Sequence, residues 1–143
     1  MAQRFPVLLV TPTGTRFDGS AEQVTAWGTL GQFGVLANHT DFITPLVPGL
    51  LTITGIENRA DERYLVASGF AEVKGGAMTV LATEAIVPVP EDETALARQA
   101  EEAERRLGQL SSYEPEFKET EQAARLARAR IQASELSRTA GTP

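Results

Sequence analysis

The chain contains no cysteine and only one histidine and one tryptophan among its 143 residues. Without cysteine, disulfide frameworks, thiolate metal sites and thiol nucleophiles are excluded. A lone histidine, His39, and scattered acids offer no spacing at which two or more ligands converge on a metal. A Ser-His-Asp triad would combine His39 with Ser68 and Asp41, but the Gly-x-Ser-x-Gly elbow is absent. His39, between Asn38 and Asp41, reads instead as a turn residue. No stretch approaches the ~20 apolar residues that span a bilayer. The apolar run at residues 7–10 is too short for a signal segment, and no small-residue cleavage site follows it. The expectation is a protein that stays in the compartment where it is made and does not insert into a membrane. The sequon Asn38-His39-Thr40 then reads as a chance match.

Basic charge is also in short supply. Thirteen Lys and Arg face nineteen Asp and Glu, for a net charge of -6. A nucleic-acid binder needs a cationic surface to displace counterions, so that class is disfavoured. The charge is uneven: residues 1–90 carry a net -3, residues 91–121 a net -6 and residues 122–143 a net +3. The basic segment rests on Arg125, Arg128, Arg130 and Arg138. These arginines either pair with acids on a neighbouring helix or dock on an acidic partner.

What is present divides at Pro88-Val89-Pro90. Before it, apolar residues alternate and Gly or Pro interrupts every few positions; after it, Ala, Glu, Arg, Gln and Leu dominate. The first part is patterned for strands and the second for helices. Strands are predicted over residues 4–10, 15–18, 23–28, 41–46, 50–54, 63–67, 70–74, 78–82 and 83–87, with Asp18-Gly19 as a turn pair and Gly31-Gln32-Phe33-Gly34 as a tight bend framed by glycines. Val24 and Ala26 share one face, and Leu51 and Ile53 share another. Nine or ten short strands at this spacing suit an antiparallel sandwich or flattened barrel. Neither Gly75-Gly76 nor the 31–34 segment precedes a helix, so neither is a phosphate cradle. Trp27 and Phe33 read as core residues, with an interface role as the alternative.

Pro88 and Pro90 stop the sheet, and Glu91, Asp92 and Glu93 set negative charge at a helix start. Leu96, Ala100, Ala103, Leu107 and Leu110 form a heptad seam. A short polar connection at residues 111–114 leads into a second helix at Pro115, expected to run to Ser137 with Phe117, Ala124, Ala127 and Ile131 on one stripe and Leu126, Ala129, Ala133 and Leu136 on the next. Such a loop makes the helices antiparallel neighbours. Alanine buries little area at ~25 cal/mol per Å², so the pair reads either as a permanent appendage or as a weakly held one that moves. The organisation is thus a β-sandwich over residues 1–87, a helical hairpin over 88–138 and a disordered tail over 139–143.

Several stretches resemble the epsilon subunit of F-type ATP synthases, called delta in mitochondria. They are Phe17-Asp18-Gly19 with Val24-Thr25-Ala26; Gly31-Gln32-Phe33-Gly34-Val35-Leu36-Ala37-Asn38-His39-Thr40; Thr44-Pro45-Leu46-Val47-Pro48-Gly49-Leu50-Leu51-Thr52-Ile53; Gly69-Phe70-Ala71-Glu72-Val73; and Met78-Thr79-Val80-Leu81-Ala82. Their order and the downstream hairpin cover nearly the whole chain. The resemblance implies a mainly β fold with a ten-stranded antiparallel sandwich and a C-terminal antiparallel two-helix hairpin. It implies a non-catalytic rotor subunit that couples proton translocation to ATP synthesis, peripheral on the cytoplasmic face of a bacterial plasma membrane, or on the matrix or stroma side in an organelle. Its partners would be gamma, the c ring, alpha and beta. It implies a c-ring contact at Gly31, Gln32 and Phe33, a gamma contact at His39 and Thr44, and a contact of Arg125, Arg128 and Arg130 with an acidic segment of beta. Helices of this family either fold down or extend among alpha, beta and gamma, where they inhibit hydrolysis.

Three departures stand out. Asn38 replaces the glycine of the family's Gly-x-x-Pro-Gly-His turn, and asparagine tolerates positive φ next best. Ser68 replaces the first glycine of Gly-Gly-Phe. Of the ATP-binding motif Ile/Leu-Asp-x-x-Arg-Ala only Asp92 is retained, with Ala95 in place of the arginine, so no ATP binding and no cofactor is expected. The rival readings are a β-sandwich ligand-binding module, which needs a pocket of convergent polar groups, and a helical-clamp adaptor, which needs apolar tips.

Overall fold

The computed structural model describes residues 3–140. Ten strands precede two helices: β1 (Phe5–Thr11), β2 (Gly14–Ala21), β3 (Gln23–Gly28), β4 (Gly31–Leu36), β5 (Phe42–Leu46), β6 (Gly49–Thr54), β7 (Glu62–Val66), β8 (Gly69–Lys74), β9 (Ala77–Ala82), β10 (Ala85–Ile86), α1 (Glu93–Gln109) and α2 (Pro115–Ala140). The chain divides into two compact units, one ending at Val87 and the other beginning at Pro88.

In the first unit the strands form one sheet in the order β10-β7-β6-β3-β5-β8-β9-β1-β2, with β4 on β3. β3 meets β5 through a single pair, Gly28 with Leu46, which joins the β10-β7-β6-β3 run to the β5-β8-β9-β1-β2 run. Alternation then sends one set of side chains inward. Leu9, Val24, Val35, Leu51, Ile53, Met78 and Val80 are among the core residues that are essentially sealed from solvent. Each large one contributes about 1.5–3 kcal/mol by leaving water. Val24 with Ala26, and Leu51 with Ile53, face the core as their spacing predicts.

Most pairings are antiparallel, but β1 lies parallel to β9, with Val7 opposite Met78 and Val10 opposite Leu81. The two strands are far apart in the chain, so no hairpin dictates their direction. Two expected turns are strand instead. Asp18-Gly19 lies inside β2, with Gly19 opposite Val7. The glycine there makes room for Phe17, whose Cζ would lie 3.2 Å from an added Cβ. The bend expected over residues 31–34 is β4, and only Gly31 there has positive φ (119°). Gly34 sits opposite Thr25 and beside the Gln23 side chain. Asn38 does adopt the left-handed conformation, at φ 65°, so the turn survives without glycine.

In the second unit Asp92 caps α1, its carboxylate accepting from the N–H groups of Thr94 (3.1 Å) and Ala95 (3.2 Å). That satisfies donors the helix leaves orphaned and places a negative charge at its positive end. The one residue retained from the ATP-binding motif thus serves as a helix cap. Pro115 begins α2, where its missing N–H costs nothing. α2 continues through Thr139 to Ala140, beyond the expected end at Ser137; Thr139 donates its hydroxyl to the Leu136 carbonyl (2.9 Å). This corrects the expected tail at residues 139 and 140, while 141–143 lie outside the described residues. Leu96, Ala100, Ala124, Ala127, Ala129, Ala133 and Ser134 are buried, whereas Ala103, Leu107, Leu110 and Phe117, toward the turn, are only half-buried.

Candidate functional site

No catalytic constellation forms around His39. Its Nδ1 lies 2.8 Å from the Thr40 carbonyl and its ring rests on Phe42, with centroids 5.1 Å apart. Ser68 shares a hydrogen bond with the Thr83 hydroxyl (2.9 Å), and Asp41 accepts from the Gly75 N–H (3.1 Å), so each member of the conceivable triad has another partner. Among the described residues no group of three or more His, Cys, Asp or Glu could hold a metal. No described helix is long and apolar enough to cross a membrane. What the first unit offers is surface.

One such surface is the end formed by the β3–β4 hairpin. Gly28 pairs with Gly31, which leaves Thr29 and Leu30 as the connecting residues of a tight turn. Leu30 is completely exposed, and Gln32 is also exposed. Phe33 is not a free anchor: it is half-buried against the core and meets Phe42 edge to face, at 5.5 Å and 88°. The exposed apolar side chain at this end is therefore Leu30. Its signal lay in the Gly-x-x-Gly frame, which forces whatever stands between the glycines to the tip. Trp27 is half-buried and lies over Gly49, where a Cβ would come 2.4 Å from its Cδ1.

The second surface is the outward side of β5, β8, β9 and β1. Pro45 stands opposite Phe70, Phe70 opposite Leu81, and Leu81 opposite Val10. Phe70 and Leu81 are each more than half exposed, and with Pro45 and Val10 they line one shallow apolar groove; Ile43, opposite Glu72, extends the apolar side chains along β5. Four strands thus bring an apolar row to solvent, which on a soluble surface marks a contact site. Thr44, by contrast, turns to the other side of β5. Its hydroxyl donates to the Pro45 carbonyl (3.1 Å) and lies 3.2 Å from where a Gly28 Cβ would stand. The sequence reading singled out Thr44 and did not single out the exposed Ile43, Phe70 and Leu81. Alternation separates the two sides of each strand but does not say which strands lie side by side.

The arginines of α2 all carry local acids. Arg125 pairs with Glu121 (3.6 Å) one turn earlier, Arg128 with Glu104 of α1 (2.6 Å), and Arg130 with Glu91 (2.5 Å). The hydrogen bond to Glu104 raises the Arg128 pKa above the ordinary guanidinium value, and that to Glu91 does the same for Arg130. Of the two roles open to these arginines, pairing with neighbouring acids is the one the folded hairpin holds. An acidic partner has to exchange with those acids.

Comparison with known proteins gives a consistent answer. The family described as ATP synthase, delta/epsilon chain, β-sandwich domain, matches residues 4–88. The ATP synthase epsilon chain of Maricaulis maris is 38% identical over 103 residues, covering 72% of this chain and 76% of that one. The epsilon chain of Myxococcus xanthus is 33% identical over 135 residues, covering 94% and 98%, so that match includes the helices. A chain of the Euglena gracilis mitochondrial ATP synthase, solved as its OSCP/F1/c-ring assembly, superposes with a TM-score of 0.71 at 23% identity, covering 92% of this chain and 81% of that chain. That superposition shows a shared fold.

Proposed function

The chain belongs to the delta/epsilon family of ATP synthase subunits, serving the central stalk rather than catalysis, and on that premise we propose how its surfaces are used. The apolar row Pro45, Phe70, Leu81 and Val10 docks on gamma. His39 lies on the turn before β5 and contributes at the margin of that contact. The exposed hairpin end, Leu30, Gly31 and Gln32, bears on the ring of c subunits, with Phe33 bracing it from within. The complex works at the membrane, and the subunit sits there peripherally, on the cytoplasmic face or its organellar equivalent.

The observation that carries the docking half is the four-strand apolar row. Desolvating large apolar side chains is the main source of interface energy, and a row fixed by sheet register needs no ordering on binding. The torque path follows from the same rigidity, because a β-sandwich with a sealed core transmits force without deforming.

The helical unit restrains hydrolysis. Its seam is mostly alanine, which holds the helices close while contributing little burial energy, and Arg125 and Arg128 can trade exposed local acids for an acidic segment of beta at small cost. Deleting residues 91–143 is expected to raise ATP hydrolysis by the assembled enzyme severalfold while leaving proton pumping per ATP unchanged. Steady-state hydrolysis measured beside a pumping assay checks this. An unchanged hydrolysis rate removes the restraining role and leaves the stalk role standing.

A further inference from the structure

One acid, Glu91, holds the base of the hairpin through its main chain and its side chain together. Its carboxylate accepts from Arg130 twice, at 3.3 Å from Nε and 2.5 Å from Nη2. Its N–H donates to the Ser134 Oγ at 2.8 Å. Its carbonyl accepts from Arg138 Nη2 at 2.6 Å, and from the Ser134 hydroxyl at 3.4 Å. Two residues on, Glu93 faces Arg138 at 3.6 Å. Ser134 is completely buried, and the other buried residues of α2, Ala124, Ala127, Ala129 and Ala133, are all alanines. A buried hydroxyl there is useful only if its hydrogen bonds are met, and Glu91 meets them.

The ion pairs of the hairpin outside this cluster are more exposed than Arg130–Glu91. Arg128–Glu104 and Arg105–Glu102 are about half exposed or more at both partners, whereas Arg130 and Glu91 expose about a third of their side chains. Exposed single pairs contribute little, but partly buried pairs joined to backbone groups contribute more. Packing follows the same gradient, tight near Leu96, Ala100 and Ala133 and looser toward Leu107 and Phe117.

We propose that the Glu91–Arg130–Ser134–Arg138 cluster is a clasp that keeps the last turns of α2 against the entry to α1, and that its release is the step that lets α2 leave α1. The turn end at residues 111–114 contributes little to that hold. The clasp deepens the restraining role given above to the helices, but it is a property of the free chain and stands or falls without the rest of the enzyme.

Hydrogen exchange on the purified full chain tests it. In Glu91→Gln and in Arg130→Gln, amide exchange over residues 124–138 is expected to speed by about tenfold, the factor equivalent to about 1.4 kcal/mol, with peptides of the sandwich unchanged as the internal control. Arg128→Gln, which breaks the exposed pair with Glu104, is expected to leave exchange in that segment as in the parent. Parent-like exchange in both Glu91→Gln and Arg130→Gln overturns the clasp, as does equal acceleration by Arg128→Gln. Because no partner subunit is present, either failure leaves the stalk role untouched.

Discussion

Replacing Phe70 by glutamate is expected to weaken binding to gamma by about 100-fold while leaving the fold intact. Phe70 stands at the middle of the outward row, between Pro45 and Leu81, and more than half of it faces solvent. Removing its ring takes away apolar area that docking would bury, and the new carboxylate would be buried without a partner. Central apolar residues of an interface typically carry about 2–4 kcal/mol, and an unpaired charge in their place adds to the loss. In the free chain the same carboxylate lies in water, so the melting transition is expected to move little. Titration against gamma, with the melting curve recorded in parallel, checks both halves. Parent-like affinity would show that the row is not the docking surface; a collapsed melting transition would show that Phe70 belongs to the core rather than to a surface.

The second large effect is on stability. Gly69 opens β8 at φ 149°, a conformation that residues with a Cβ rarely adopt. A Cβ there would lie 2.1 Å from the Leu81 carbonyl oxygen and 2.9 Å from the Ala82 Cα, both backbone atoms of the neighbouring strand. Neither can move without disturbing the β8–β9 ladder, in which Gly69 pairs with Ala82 and Phe70 with Leu81. Gly69→Ala is therefore expected to destabilise the sandwich by about 3–5 kcal/mol, a fall of more than about 10 °C in the midpoint for a domain of this size. Gly14→Ala separates the two causes: Gly14 also has positive φ, at 140°, but nothing lies within 4 Å of its would-be Cβ. It is expected to cost about 1–2 kcal/mol from backbone strain alone. Calorimetry of the three proteins decides the matter, and equal shifts for both variants would remove the steric argument. The preceding position explains one family departure. Ser68 is absent from the positive-φ residues and uses its hydroxyl on Thr83, so no glycine is required there.

The pattern of what the sequence reveals has a physical logic. The division near Pro88 is legible because both prolines lack a ladder donor and the period of the apolar residues changes after them. The inward sides of β3 and β6 are legible because Thr25 separates Val24 from Ala26 and Thr52 separates Leu51 from Ile53, a two-residue period. Gly19 and Gly34 mislead because glycine serves two ends, freedom of φ and absence of a side chain, and here it is the second. The parallel run of β1 beside β9 depends on a long-range pairing that no local signal encodes. The docking row has the same origin, since Pro45, Phe70 and Leu81 become neighbours only through the register of three strands. The clasp escapes a reading based on apolar stripes because its parts are polar and one of them is a backbone amide.

Proton pumping per ATP hydrolysed, in vesicles carrying the ATP synthase assembled with and without this chain, tests the central role most directly. The prediction is that the enzyme lacking the chain still hydrolyses ATP but pumps at background level, and that adding the purified chain back restores pumping. Equal pumping per ATP in the two preparations would contradict a place for the chain in the path of torque.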